Sequence, residues 1–137
     1  MSREFIDTNI LIYSIDSAHP EKREKSIATI ERLARSGNGV ISTQVLQEFY
    51  VASTRELRIE PLLAKRLVQD FQLFDVVQVT PPMIESAIDR SILSTLSFWD
   101  SLILIAATIG SCSTLLSEDL NDGQDVDGVK IHNPFGQ

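Results

Sequence analysis

Apolar residues along this chain change repeatedly between two rhythms, short unbroken runs and runs spaced by three and four. The first rhythm predicts buried strands, the second helices with one apolar face. Residues 4–6 begin as a short strand, and residues 8–14 turn into a brief helix. Ser17, Ala18, His19 and Pro20 interrupt the chain. Ile27, Ile30, Leu33 and Ala34 then recur at helical spacing over residues 20–35, with Gly37 as the stop. The charged opening of that helix, residues 21–25, reads as a solvated face. Residues 39–41 form a second strand, and Ser42 or Thr43 can cap the helix after it, whose apolar face is Val45, Leu46, Phe49 and Ala52. Pro61 opens the next helix, residues 62–74, with Leu63, Leu67 and Phe71 spaced for burial. The β-branched run 76–79 is a third strand. Thr80, Pro81 and Pro82 end it and begin a helix carrying Ile84, Ala87, Ile88 and Leu93. Residues 102–109 are apolar on every side except at Thr108, which predicts a core helix closed by Gly110. Residues 114–116 are the next strand, 121–128 a polar loop and 129–131 a last edge strand.

Strands alternating with helices predict an α/β fold, a three-layer α/β/α sandwich whose short, mainly parallel sheet is joined by right-handed crossovers. Such sheets place their functional crevice outside the carboxyl ends of the strands. Four acids belong to that end. Asp7 follows the first strand, Glu48 lies on the flank of an apolar helix face, Asp100 sits at the mouth of the core helix, and Asp119 at the exit of the fourth strand. Two like charges about 4 Å apart cost on the order of 4 kcal/mol near a protein surface, so four converging carboxylates call for a divalent metal, a proton or a cationic substrate.

Composition narrows the chemistry. The 137 residues, 43% hydrophobic and 23% charged, suit one domain, residues 1–137, able to fold without staples. No apolar stretch approaches the roughly 20 residues needed to cross a bilayer, and Arg3 and Glu4 stand where a signal peptide needs an apolar run. A cytoplasmic location with no membrane attachment is therefore expected. Cys112 is the only cysteine, which excludes an intrachain disulfide and a thiolate zinc cage and leaves it as a small buried or half-buried side chain. His19 and His132 lack the spacing of a zinc hydrolase, and no serine-nucleophile elbow is present. The net charge of −7 argues at face value against nucleic-acid binding. Four of those charges belong to the acid cluster, however, and a bound divalent ion reverses the local sign where a phosphate would arrive.

Each acid also has a plainer role available. Asp7 can cap the short helix, Asp100 is a favoured N-cap of the core helix, Glu48 alone is an ordinary solvated helix residue and Asp119 an ordinary turn residue. The case for chemistry rests on the four together. Oxygen donors without histidine or cysteine point to Mg²⁺ or Mn²⁺. The chemistry implied is phosphodiester hydrolysis by metal-activated water, with Thr8 and Ser117 as hydroxyls able to hold a water or a ligand oxygen beside the acids.

The residues around these acids form an ordered set. Phe5-Ile6-Asp7-Thr8-Asn9-Ile10-Leu11, Gln47-Glu48-Phe49-Tyr50, Phe98-Trp99-Asp100-Ser101-Leu102 and Leu116-Ser117-Glu118-Asp119-Leu120 resemble the four motif blocks of PIN domains. The likeness covers nearly the whole chain and is strongest to the VapC-like toxins of bacterial toxin-antitoxin pairs. Residues 119–124 and the Asn133-Pro134-Phe135 tail resemble that group as well. The resemblance implies a magnesium- or manganese-dependent endoribonuclease toxin, usually a homodimer, neutralised by a small cognate antitoxin whose C-terminal segment occupies the active-site groove. By position, Asp7, Glu48, Asp100 and Asp119 would be the catalytic, metal-binding acids. Asp16 and Asp122 are nearby acids whose expected roles are in a loop or a helix cap.

Basic residues suited to an RNA backbone are few. Arg55, Arg58, Lys65 and Arg66 surround one helix-helix connection and are candidates for a phosphate-contacting rim, against an equal case for ordinary solvated surface. Leu57, Ile59 and Leu62 in the same region suit a dimer or antitoxin contact. The rival reading is a non-catalytic acidic α/β binding or receiver-like module. A receiver needs an acid pair after its first strand and a late lysine, and only Lys130 offers the second.

Overall fold

The computed structural model describes residues 2–136. Its centre is a six-stranded sheet made of β1 (Glu4–Ile6), β2 (Gly39–Ser42), β3 (Asp75–Val77), β4 (Thr114–Leu116), β5 (Asp125–Val126) and β6 (Val129–His132). The strand order is β3-β2-β1-β4-β6-β5, parallel throughout except for the antiparallel β5-β6 pair. Six helices connect and cover it: α1 (Thr8–Tyr13), α2 (Pro20–Ser36), α3 (Thr43–Arg55), α4 (Pro61–Phe71), α5 (Pro81–Leu93) and α6 (Phe98–Ile109). The expected α/β sandwich with a mainly parallel sheet is therefore observed.

β1 and β4 are neighbours, and the chain leaves β1 towards β2 on one side and reaches β4 on the other. Chain direction thus diverges at the carboxyl ends of β1 and β4, which opens a crevice there. Phe5, Ile6, Val40, Ile41, Leu115 and Leu116 are buried within the sheet, consistent with strands covered on both faces. α6 contributes Leu102, Ile103, Leu104, Ala106 and Ala107 to the core, as its all-apolar sequence requires. Phe49 of α3 meets Phe71 of α4 edge to face at 5.0 Å and fixes those two helices together.

Glycine is required at two places for different reasons. Gly37 ends α2 in the left-handed region at φ +74°, where a side chain is strained. At Gly39 a β-carbon would lie 2.5 Å from the Phe74 ring, so β2 packs there only without one.

Several local expectations are corrected. Ala34 is exposed and Ser26 takes the buried position on α2. The α2 opening is not merely solvated, since Lys22 pairs with Glu118 and lies over the Tyr13 ring at 4.7 Å. α4 ends at Phe71, and it buries Ala64 while Leu63 faces solvent. On α5 only Met83 and Ala87 are buried, whereas Ile84, Ile88 and Leu93 are exposed, because α6 covers a narrower stripe than the apolar pattern suggested. β3 starts one residue early, at Asp75, and ends at Val77. The segment 121–128 contains a strand after all, and β5 makes the sheet edge in place of β6, whose residues alternate buried and exposed. Cys112 is buried as expected, and burial pushes its thiol up to about 11.

Candidate functional site

Each acid is set by the end of one element. Asp7 is the residue after β1, in extended conformation at the N-cap position of α1. Its two oxygens are both engaged: Oδ1 accepts the Thr8 N–H at 2.7 Å and Oδ2 accepts the Ser117 hydroxyl at 2.8 Å. Ser117 follows β4, so the β1-β4 pairing brings these two loops together. The same Ser117 Oγ accepts the Asp119 N–H at 3.2 Å. Asp119 Oδ2 accepts from the Asn9 side-chain amide at 3.0 Å.

Glu48 reaches the group from α3. Its Oε1 accepts the Thr8 hydroxyl at 2.6 Å, and its Oε2 accepts Gln44 Nε2, one helical turn earlier, at 3.0 Å. Asp100 lies in the first turn of α6 but does not cap it. Ser97 is the N-cap, accepting the Asp100 N–H at 3.0 Å, in the Ser-x-x-acid pattern of a capping box. That leaves the Asp100 carboxylate half-buried at the positive end of the helix, without the duty of capping it.

The carboxylates perturb one another. Asp7 is pushed up from 3.8 to about 7, first by burial, with Glu48 and Asp119 adding repulsion and the hydrogen bonds from Ser117 and Thr8 opposing it. Asp100 is also raised, chiefly by burial and then by the charges of Asp119 and Glu48, with Ser97 opposing. Asp7 is buried, Glu48 and Asp100 are half-buried, and Asp119 is exposed, so the acids descend from rim to floor. All four expected acids thus share one electrostatic neighbourhood.

The donors fit a hard cation held in an open site. All are carboxylate oxygens, one is deeply buried with a hydroxyl and a backbone amide as partners, and among the described residues no basic side chain bonds to any of the four. Among the described residues no three Asp, Glu, His or Cys side chains are already close enough to form a closed metal cage. A hard cation held by one or two carboxylates commonly completes its shell with waters and substrate oxygens.

Other expected residues fall in different places. Thr8 and Ser117 are in the site, but their hydroxyls donate to Glu48 and Asp7, so they orient acids. Asp16 has a loop role, accepting from the Ala18 N–H and bonding to His19. Asp122 accepts the Asn133 N–H and ties down the tail. Arg55, Arg58, Lys65 and Arg66 are exposed and make no ion pair among the described residues. They contact none of the four acids through hydrogen bonds. Lys65 instead lines an apolar cavity of about 560 Å³ between α3 and α4, with Leu46, Tyr50, Val51 and Leu62.

Sequence reading missed Asn9, Gln44 and Ser97. Gln44 had a signal, standing four residues before Glu48, and Ser97 had the capping-box spacing. Asn9 was visible only as part of Asp-Thr-Asn, and its bond to Asp119 spans 110 positions.

The PIN domain family model matches residues 5–124. No curated protein matches the chain. Among solved structures, the chain is similar to a toxin-antitoxin complex from Klebsiella pneumoniae at 19% identity and TM-score 0.71, covering 96% of this chain and 98% of that one. It is also similar to the DNA-bound VapBC of Salmonella typhimurium, at 18% identity and TM-score 0.69, covering 98% and 99%. The VapC20 toxin of Mycobacterium tuberculosis, described as cleaving the sarcin-ricin loop, matches at 18% identity and TM-score 0.60, covering 85% and 89%. At these identities the likeness to the solved structures is one of fold.

Proposed function

Because this chain belongs to the PIN domain family, we propose that it is a divalent-metal-dependent endoribonuclease acting as a toxin in the cytoplasm, kept inactive by a cognate antitoxin. The observation that carries the reading is the placing of Asp7: a carboxylate buried at the carboxyl end of β1, held by Ser117 and the Thr8 N–H beside Glu48 and Asp119, and raised to about 7 by burial and by those neighbouring acids. A raised, buried carboxylate at the crevice of a parallel sheet supports a cation-binding role there.

The reaction is hydrolysis, in which water attacks phosphorus, the bond to the leaving oxygen breaks and that oxygen takes up a proton. Mg²⁺ or Mn²⁺ bound at the acids would lower the pKa of the attacking water and offset the charge that develops on the phosphate. The chain's own residues supply position. Ser117 and the Thr8 N–H fix both oxygens of Asp7, Thr8 and Gln44 fix both oxygens of Glu48, and Asn9 holds Asp119. Asp100 is presented by the first turn of α6, at the helix's positive end, with Ser97 opposing the burial and neighbouring charges that raise it.

Two surfaces suit the proposed partners. The apolar cavity between α3 and α4, bordered by Lys65, suits an apolar segment of the antitoxin with an acid beside it. The exposed Ile84, Ile88, Ile92 and Leu93 of α5 suit a second copy of the chain. Names of the similar structures, which are toxins or toxin-antitoxin complexes, support this assignment.

Incubation of a mixed RNA pool with the purified chain tests the proposal, with magnesium or manganese, with chelator, and with Asp7→Asn and Asp100→Asn as controls for contaminating nuclease. Metal-dependent cutting by the parent and by neither variant is expected. No cutting in the absence of antitoxin, together with no thermal stabilisation by either ion, would overturn it.

A further inference from the structure

Resting on the nuclease reading above, we infer that Trp99 is a stacking platform for an unpaired nucleobase next to the cut phosphate. Trp99 is the only tryptophan of the chain and is 60% exposed, although it lies in the first turn of the core helix α6 and directly precedes Asp100. It stands between two cavities of about 370 and 340 Å³ and lines both. The larger is shared with Glu48, so a ring seated against the indole on that side lies beside that acid. Val51 and Ala52 give this cavity apolar surface, while Gln47 and Glu56 add groups able to bond the edge of a base.

The platform is tied to the acids. Gln44 Nε2 donates to the Trp99 carbonyl at 3.2 Å and to Glu48 Oε2 at 3.0 Å, so one amide fixes both the backbone beneath the indole and the carboxylate. The Gln44 side chain is buried and its Oε1 has no partner among the described residues, so this pair of hydrogen bonds is held in place against the cost of an unmet acceptor. Phe98 packs edge-on against the indole, with centroids 5.0 Å apart and planes at 76°, which fixes the ring's orientation.

Stacking also answers the charge problem. A chain of net charge −7 gains little from long-range attraction to phosphates, whereas every base offers a π-face whatever the protein's charge. Bases in a duplex are already stacked, so the platform selects single strands and loops.

The lone tryptophan makes the test specific. The Asp7→Asn variant is titrated in magnesium with a short end-labelled single-stranded RNA and with an abasic strand of the same length. Binding is read from the label's anisotropy and stacking from indole fluorescence. Quenching by the RNA and not by the abasic strand is expected. In the parent enzyme, Trp99→Ala should lower kcat/KM on single-stranded RNA roughly 10- to 100-fold, and Trp99→Phe should recover most of it. Magnesium stabilisation should be unchanged in both. RNA binding without quenching, or a Trp99→Ala enzyme within about twofold of the parent, would overturn the platform and leave the nuclease standing. Unchanged cleavage with lost affinity for a protein partner would reassign Trp99 to that partner. Loss of cleavage in the parent itself would refute the nuclease reading, and the platform with it.

Discussion

The Asp7→Asn substitution should stabilise the metal-free protein at pH 8 and, on the proposed function, abolish RNA cleavage. Asp7 has an ordinary value of 3.8 and is raised to about 7 in the fold, so the folded state holds this proton more tightly than the unfolded chain. Its contribution to stability is fully present below about pH 4 and is lost as pH rises through about 7. That gap, at about 1.36 kcal/mol per tenfold change in proton affinity, amounts to roughly 4 kcal/mol at pH 8. Relaxation and water entry reduce it, and about 2 kcal/mol is the working figure. The substitution is conservative in shape. The amide side chain of the Asp7→Asn variant would still accept the Thr8 N–H, and its NH₂ group can donate to Ser117 Oγ, which has a lone pair to spare beside the bond it accepts from the Asp119 N–H. Thermal unfolding in chelator at pH 4, 6 and 8 is the assay. The variant should melt roughly 6–10 °C above the parent at pH 8, with the gap closing towards pH 4. Magnesium should narrow or reverse the order at pH 8 by stabilising only the parent. A variant no more stable than the parent at pH 8, or a gap that persists at pH 4, would refute the reasoning.

Further perturbations separate the fold from the site. Ser117→Ala removes the donor to Asp7 and the acceptor of the Asp119 N–H, and RNA cleavage should fall about 10- to 100-fold with magnesium affinity, measured by titration calorimetry. Phe49→Ala empties a fully buried ring site against Phe71 and should cost about 3–5 kcal/mol in urea unfolding. Neutralising Arg55, Arg58, Lys65 and Arg66 together should flatten the salt dependence of RNA binding if they touch phosphates, with the logarithmic slope reduced by about 0.7 for each phosphate that loses its cation. An unchanged slope would assign them to solvated surface.

The sheet was legible because its strands are short apolar runs bounded by turn residues, and helices α2, α3 and α6 because their caps and stops are written locally, at Gly37, Ser42 and Gly110. The burial pattern of α4 and α5 was less so. Leu63, Ile88 and Leu93 have the spacing of core residues but face outward, since periodicity marks an apolar face without saying what covers it. β5 escaped notice because two residues paired across a turn carry almost no pattern. Within the site, the acids were visible from their places after β1, on α3, on α6 and after β4. Their partners were not, because Ser117 to Asp7 and Asn9 to Asp119 are contacts that the sheet order alone creates. Thr8 and Ser117 were found as hydroxyls near the acids, yet their task, holding Glu48 and Asp7, depends on that same order.

The central claim is that water, activated at these four acids by a divalent ion, cleaves RNA. The ends of the RNA products test it most directly. Attack by water with loss of the 3′-oxygen predicts fragments bearing 5′-phosphate and 3′-hydroxyl ends, formed with magnesium or manganese and absent in chelator and in the Asp7→Asn and Asp100→Asn chains. Fragments ending in 2′,3′-cyclic phosphate, or cleavage that survives chelation, would contradict it.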